Sequence, residues 1–306
     1  MEKNEVISSA RQIREYRVPF AGLTTYVRTV GTTAGDKKPL LLLHGGPGST
    51  HNYFEVLDRL ADDGRMIVSY DQIGCGESPA DGRTDLFNRE TWLEELDTVR
   101  KALGLDEVHI LGQSWGGMLL LEYLCRRAPK PQGVVSAVLS STLPSSALWS
   151  AEQHRMIREL PEPMRLAIAE ADRTGDYSSP EYAAANDEFM FRHCGPKWGE
   201  DAPECLRRPK KGGTEAYITA WGPNEFTPLG NLRDYDVTAL LPDIRVPTLI
   251  TSGVDDMCTP LIAKTMHDAI PGSRWELFAH SRHMAYAEEN EKYVSLLRLW
   301  LASAEQ

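Results

Sequence analysis

Long hydrophobic runs are missing from this 306-residue chain. No stretch approaches the roughly 20 apolar residues that a membrane-spanning helix needs, so a membrane association is not expected. The longest apolar run near the front, Leu40–Leu43, has the length of a buried strand. The opening Met1-Glu2-Lys3-Asn4-Glu5 lacks the basic-then-apolar layout of a secretory signal. Cysteine is scarce: there are five, an odd number, and no pair is spaced as C-x-x-C. That argues against a disulfide framework or a zinc site and fits a reducing cytoplasm. Positive charge is in deficit, with 33 Lys and Arg against 44 Asp and Glu and a net charge of −11. A surface this acidic repels phosphate backbones, so nucleic acid is not an expected partner.

What is present is an ordinary globular composition, 42% hydrophobic and 25% charged. The length suits one large domain or a core with an inserted subdomain. Short β-type runs stand at Leu40–Leu43, 66–70, 108–111, 134–139, 248–251 and 275–278. Most are too uniformly apolar for a sheet with one wet face, which predicts strands covered on both sides. Helical spacing fills the gaps. Residues 91–103 carry Trp92, Leu93, Leu96, Val99 and Leu103 on one stripe with charges opposite, and 116–127 and 292–301 read the same way. The alternation predicts an α/β fold with a mostly parallel central sheet and helices on both faces. Between residues 141 and 236 the β-type runs vanish, and polar helical segments such as 151–160 and 180–191 alternate with Pro/Gly loops. The expectation is a core of residues 1–140 and 237–306, with 141–236 as an inserted helical cap. Such a cap would close over the sheet's carboxyl edge, where α/β folds bind ligands.

Three segments carry chemistry. Gly112-Gln113-Ser114-Trp115-Gly116 follows a strand run and opens a helix, the context of a nucleophile elbow that pushes Ser114 Oγ out above the sheet. His44-Gly45-Gly46-Pro47-Gly48-Ser49 follows the Leu40–Leu43 strand. Its glycines leave backbone N–H groups free to face a substrate carbonyl, one half of an oxyanion hole. Gly46 is the chosen donor and Gly45 its rival, with the Trp115 N–H as the other half. No phosphate-loop pattern competes, and His44 reads as a structural hydrogen-bonder under the loop. A serine nucleophile needs a base, and the base a carboxylate that fixes its tautomer and stabilises the imidazolium. In the chain order Ser, acid, His, the candidates are Asp255 or Asp256 after the 248–251 strand and His280 or His283 after the last one. Asp256 and His283 are favoured, but spacing alone does not separate either pair.

The chain resembles the proline iminopeptidase family of α/β-hydrolases, which also contains the closely similar L-amino acid (prolinamide) amidases. The likeness covers most of the chain. It rests on His44-Gly45-Gly46-Pro47-Gly48, Asp71-Gln72-Ile73-Gly74-Cys75-Gly76-Glu77-Ser78, Gly112-Gln113-Ser114-Trp115-Gly116-Gly117, and Ser281-Arg282-His283-Met284 followed by Glu288-Glu289. The resemblance implies the acid in a G-x-x-D-x-x-T-P arrangement, which Gly253 and Thr259-Pro260 place at Asp256. It implies the base at His283 and a mostly helical cap. It also implies that Glu225, in Trp221-Gly222-Pro223-Asn224-Glu225-Phe226-Thr227, binds the free α-amino group of the substrate. An ammonium taken out of water needs such a carboxylate, and the pairing would make an exopeptidase. One position departs from the family. Where peptidase members often carry a second amino-binding glutamate, this chain has Met257. Asp255 lies on the other side of Asp256, where adjacent side chains of an extended loop point apart. The departure counts against strict aminopeptidase action.

The expected chemistry is acyl transfer to water through an acyl-enzyme, with Ser114 attacking, His283 moving the proton and Asp256 orienting it. No metal or organic cofactor is required. The expected substrate is a short peptide with an unblocked N-terminal residue, proline or another small apolar one. An amino acid amide is the near rival, and an ester or lactone the next. A binding protein on a retired hydrolase scaffold is disfavoured, since Ser114, Asp256, His283 and both oxyanion loops are present. Phe54, Trp115, Trp149 and Trp221 are either walls of an apolar pocket or core. Oligomeric state is not readable.

Overall fold

Leu40–Leu43 shows why the apolar runs become strands buried on two sides. Successive side chains of a strand point to opposite faces. Leu41 and Leu43 pack with Val68, Trp92, Leu96 and Val99, whereas Leu40 and Leu42 pack with Phe54, Leu57, Tyr293 and Leu297. None of the four leucines is more than 1% exposed, and each burial is worth about 1.5–3 kcal/mol.

The structure, a computed structural model, describes residues 2–7, 11–32 and 36–306. Among these, one sheet holds β1 (Glu2–Ile7), β2 (Gln12–Phe20), β3 (Leu23–Val30), β4 (Leu40–Leu43), β5 (Ile67–Tyr70), β6 (Val108–Gln113), β7 (Val134–Ser140), β8 (Thr248–Gly253) and β9 (Arg274–Phe278). Their order is β1-β2-β3-β5-β4-β6-β7-β8-β9. The pairings among β4 to β9 are all parallel, and these are the six strands expected from the apolar runs. The antiparallel ribbon β1–β3, joined to β5 through β3, was not expected. Its strands mix polar and apolar residues without a clean alternation, and β2 is half-buried along most of its length, so no continuous apolar run announces it.

On one face lie α1 (Arg89–Ala102), α2 (Trp115–Arg126) and α8 (Pro260–Ala269); α10 (Asn290–Ala304) covers the other. Asn88 caps α1 by accepting from the Thr91 amide, and Trp92, Leu93, Leu96 and Val99 form the expected buried stripe. The charges are not all opposite it. Glu95 is fully buried and accepts hydrogen bonds from the Thr25 hydroxyl and the Ile73 amide.

Between β7 and β8 the chain forms α3 (Ser146–Ile157), α4 (Glu162–Thr174), α5 (Pro180–His193), α6 (Glu204–Arg207) and α7 (Thr214–Ala220), with no sheet strand among the described residues. This helical segment is fastened to the loops at the strand ends. Gln153 Nε2 donates to the Met257 carbonyl (2.8 Å), Thr259 Oγ1 to Glu152 (2.6 Å) and the Gly213 amide to the Gly48 carbonyl (2.8 Å). Among the described residues no helix is long and apolar enough to cross a membrane. From β4 the chain steps to β5 on one side and then to β6 on the other. The carboxyl ends of β4 and β6 therefore flank a topological switch point, the usual ligand site of open α/β sheets.

Candidate active site

Ser114 is delivered to that switch point by a strained turn. It sits between β6 and α2 with φ 54° and ψ −121°, outside the comfortable range of an L-residue and costing of order 1–3 kcal/mol. Two bonds hold it there: its amide donates to the Ser140 carbonyl (2.9 Å), and Thr142 Oγ1 donates to its own carbonyl (2.6 Å). The turn is possible because Gly112 and Gly116 carry no side chains. A Cβ on Gly116 would run into the Leu43 carbonyl, and one on Gly112 into the carbonyl of Gly116.

The adjacent loop after β4 is built to leave one amide unused. The Gly45 N–H donates to the Tyr53 hydroxyl (2.5 Å), which itself donates to Gln113 Oε1 (2.9 Å). Among the described residues, the Gly46 and Trp115 amides donate to no protein group. His44 lies beneath the loop, fully buried, with Nδ1 on the Gly45 carbonyl (2.9 Å) and Nε2 accepting from the Gln72 amide (3.0 Å). Burial pushes its pKa down to about 4, which keeps the ring neutral in this structural role.

Of the late aspartates and histidines, the fold brings together Asp256 and His283. His283 Nδ1 lies 2.8 Å from Asp256 Oδ1, and both residues are buried. The same carboxylate accepts from the Cys258 amide (2.7 Å) and the Gly253 amide (3.3 Å), so both of its oxygens are engaged. Asp255 and His280 are exposed. The His283 loop is clamped from α9 (Ala285–Glu288) and the residue after it. Glu288 accepts from the Arg282 amide (2.8 Å) and guanidinium, and Glu289 from Ser281 Oγ (2.6 Å). That clamp accounts for the Glu288-Glu289 pair that follows the motif.

Ser114 and His283 line one cavity of about 250 Å³ together with Gly45, Gly46, Tyr53, Met257 and Tyr286. No direct hydrogen bond joins the two among the described residues; such pairs commonly draw together only around a reacting carbonyl. Among the described residues, hollows of about 500 Å³ near Asp97 and near Arg28 are lined by neither a serine nor a cysteine. Asp256, Cys258 and His283 are the only donor group close enough to hold a metal ion among the described residues. Its atoms already serve the hydrogen bonds just named, and Cys258 Sγ faces the Ser141 carbonyl at 3.1 Å.

Glu225 enters this cavity from the helical segment. It is half-buried as a residue, with its carboxyl group enclosed by protein, and burial raises its pKa against the opposing pull of the Tyr217 hydrogen bond and the His283 charge. Tyr217 Oη donates to Glu225 Oε2 at 2.6 Å. The indoles of Trp149 and Trp221 both donate to the Glu225 carbonyl at 3.1 Å. These two tryptophans are thus backbone supports of Glu225. Trp115 is core as well, its indole on Gln72 Oε1 (2.7 Å) and edge-on to Trp92, and Phe54 packs on Tyr53 and Tyr286. The walls are instead Tyr53, Met190, Cys194, Lys210, Tyr217, Met257, Met284 and Tyr286. Apart from Met257, and Met284 in the histidine motif, none was singled out by sequence, because no motif spacing marks a residue that reaches a site only through tertiary packing.

Comparison with known proteins agrees with this architecture. The family described as alpha/beta hydrolase fold matches residues 38–290. A proline iminopeptidase of Clostridium botulinum strain Hall is 58% identical over 290 residues, covering 95% of this chain and 98% of its own. Among solved structures, VinJ superposes with a TM-score of 0.86 at 32% identity, covering 95% of this chain and 98% of that one. The proline iminopeptidase of Mycobacterium smegmatis gives 0.84 at 32%, with the same coverage.

Proposed function

The chain belongs to the α/β-hydrolase family and, within it, to the proline iminopeptidases, and from that premise we propose which residues carry its hydrolysis and what it cleaves. It is a proline iminopeptidase-like serine hydrolase. Ser114 attacks the carbonyl of an unblocked N-terminal residue. His283 takes the serine proton and returns it to the leaving amine, while Asp256 holds the imidazole tautomer and stabilises the imidazolium. The Gly46 and Trp115 amides, which have no acceptor among the described residues, stabilise the oxyanion. Water then hydrolyses the acyl-enzyme.

The observation that carries the reading is Glu225, an enclosed carboxyl group with a single donor among the described residues, in the same cavity as Ser114 and His283. An α-ammonium entering there pairs with it and relieves the strain of its burial. The walls of Tyr53, Met190, Met257 and Tyr286 suit a small apolar ring such as proline. Met257 supplies apolar surface where a second acid would sit, so Glu225 carries the amino-group contact without it. Residues 141–236 act as the cap that holds Glu225 over the sheet, and the five free cysteines suit a reducing cytoplasm.

The test is a set of initial rates on proline p-nitroanilide, its N-acetylated form, prolinamide, a proline dipeptide and p-nitrophenyl acetate, with Ser114→Ala as the blank. Loss of turnover on acetylation supports the amino-group contact. Fastest turnover of the acetylated compound or the ester overturns it in favour of an esterase.

A further inference from the structure

One cavity wall carries a cation that no carboxylate or carbonyl pairs with among the described residues. The end of α6 and the strap from it to α7 hold Arg207, Arg208, Lys210 and Lys211. Arg208 pairs with Glu55 and Glu204, Lys211 with Glu77 (2.7 Å), and Arg207 donates to the Ala202 carbonyl (3.0 Å). Lys210 has no carboxylate or carbonyl partner among the described residues, and its ammonium lies 4.9 Å above the Tyr53 ring. It lines the cavity of Ser114, His283 and Glu225. As a residue Lys210 is exposed, yet its ammonium end is crowded enough that loss of solvation lowers its pKa. An aromatic face repays only part of that loss, so an arriving anion has a prepared place.

The strap is fixed on both sides of this lysine. The Gly76 amide donates to the Lys211 carbonyl (2.9 Å) and the Gly213 amide to the Gly48 carbonyl (2.8 Å), which ties Lys210 to the loop that carries Gly46. Gly213 lies too close to Gly74 and Cys75 to accept a side chain, so the close approach is built in. The cavity therefore holds one carboxyl group with a single donor, Glu225, and one ammonium with no oxygen acceptor, Lys210, among the described residues, and Ser114 lines the same cavity.

We propose that Lys210 receives the C-terminal carboxylate of a dipeptide, so that the cavity recognises both ends of a zwitterion. The proposal rests on the amino-group contact assigned to Glu225. A two-residue peptide spans about 7 Å at most, which fits a cavity of about 250 Å³. A third residue would carry the carboxylate past Lys210, and an amide would present no charge to it. Lys210 is thus a specificity residue that favours dipeptides over amides and longer peptides.

The test measures kcat and KM for prolyl-alanine, prolyl-alanine amide and N-acetyl-prolyl-alanine with the intact enzyme and with Lys210→Gln, Lys210→Arg and Lys210→Glu. The side chain leaves from an exposed strap, so these variants should fold. In the parent enzyme the free acid is the better dipeptide substrate, through KM. Lys210→Gln should lower the acid-to-amide ratio of kcat/KM by about three- to tenfold, as expected for a partly solvated charge pair. Lys210→Arg should restore it and Lys210→Glu should invert the preference. A ratio that stays the same in the Gln and Glu variants overturns the Lys210 assignment and leaves the Glu225 contact standing. Equal cleavage of the acetylated and free-amine dipeptides overturns both.

Discussion

Two regions meet at the cavity, and they treat charge in opposite ways. In the loops at the strand ends the charged groups of the proposed triad have their partners in place. Asp256 accepts from two backbone amides as well as His283, and the His283 loop is held by Glu288 and Glu289. In the helical segment between β7 and β8, Glu225 has one hydrogen-bond donor, and Lys210 has no oxygen acceptor, only the Tyr53 ring, among the described residues. The difference separates chemistry from recognition. Groups that move a proton must be oriented before the substrate arrives, whereas groups that select a substrate gain most when its charges complete them.

The comparison can be broken first at the strand ends. Ser114→Ala should lower kcat by about 10⁴- to 10⁶-fold without loss of fold, checked by p-nitroanilide turnover alongside a thermal melt. Asp256→Asn should cost about 10⁴-fold, because an amide favours the wrong histidine tautomer. A loss of only a few-fold in either would mean that the assigned residue is not in the reacting set. In the helical segment the effect should be smaller and of another kind. Glu225→Gln should reduce kcat/KM for proline p-nitroanilide about ten- to hundredfold relative to p-nitrophenyl acetate, the range of one charge-assisted hydrogen bond. An equal fall on both substrates would move Glu225 from recognition to chemistry.

The smallest effect contrasts two buried carboxyl groups. Glu95, in the core, is held by burial at a pKa of about 8 despite its bonds to Thr25 and the Ile73 amide. Its folded pKa lies above its unfolded value, so its contribution is fully present below about pH 4.5 and is lost as pH rises through about 8. Glu95→Gln should therefore gain on the parent protein between pH 6 and 9, by about 5 °C in Tm at the upper end. The comparison with the variant removes the opposite slope of His44, whose lowered pKa costs stability as pH falls below about 6.5 toward 4. Parallel Tm curves for the two proteins would show that Glu95 does not titrate in this window.

The continuous apolar runs were legible as the parallel strands β4–β9 because a strand covered on both faces has no polar positions. The ribbon β1–β3 was not legible, because its strands mix charged residues with apolar ones in no regular period, as the half-buried β2 shows. The segment 141–236 could be read as helical, but not which of its side chains reach the cavity. The sequence left Trp149 and Trp221 open between pocket wall and core, and in space they are supports of the Glu225 backbone. Tyr53, by contrast, follows its motif by only a few residues, yet its hydroxyl is what occupies the Gly45 amide and distinguishes Gly46.

By itself the sequence determined the alternation of strand and helix, the strained Ser114 turn and the glycine loop beside it, since each depends on residues within a few positions of one another. Only the tertiary structure decided that Asp256 meets His283 while Asp255 and His280 face solvent, and that Lys210 comes to rest over Tyr53. Those contacts join residues 27 and 157 positions apart. Packing of the helical segment on the strand ends, rather than local geometry, brings such distant groups into one cavity.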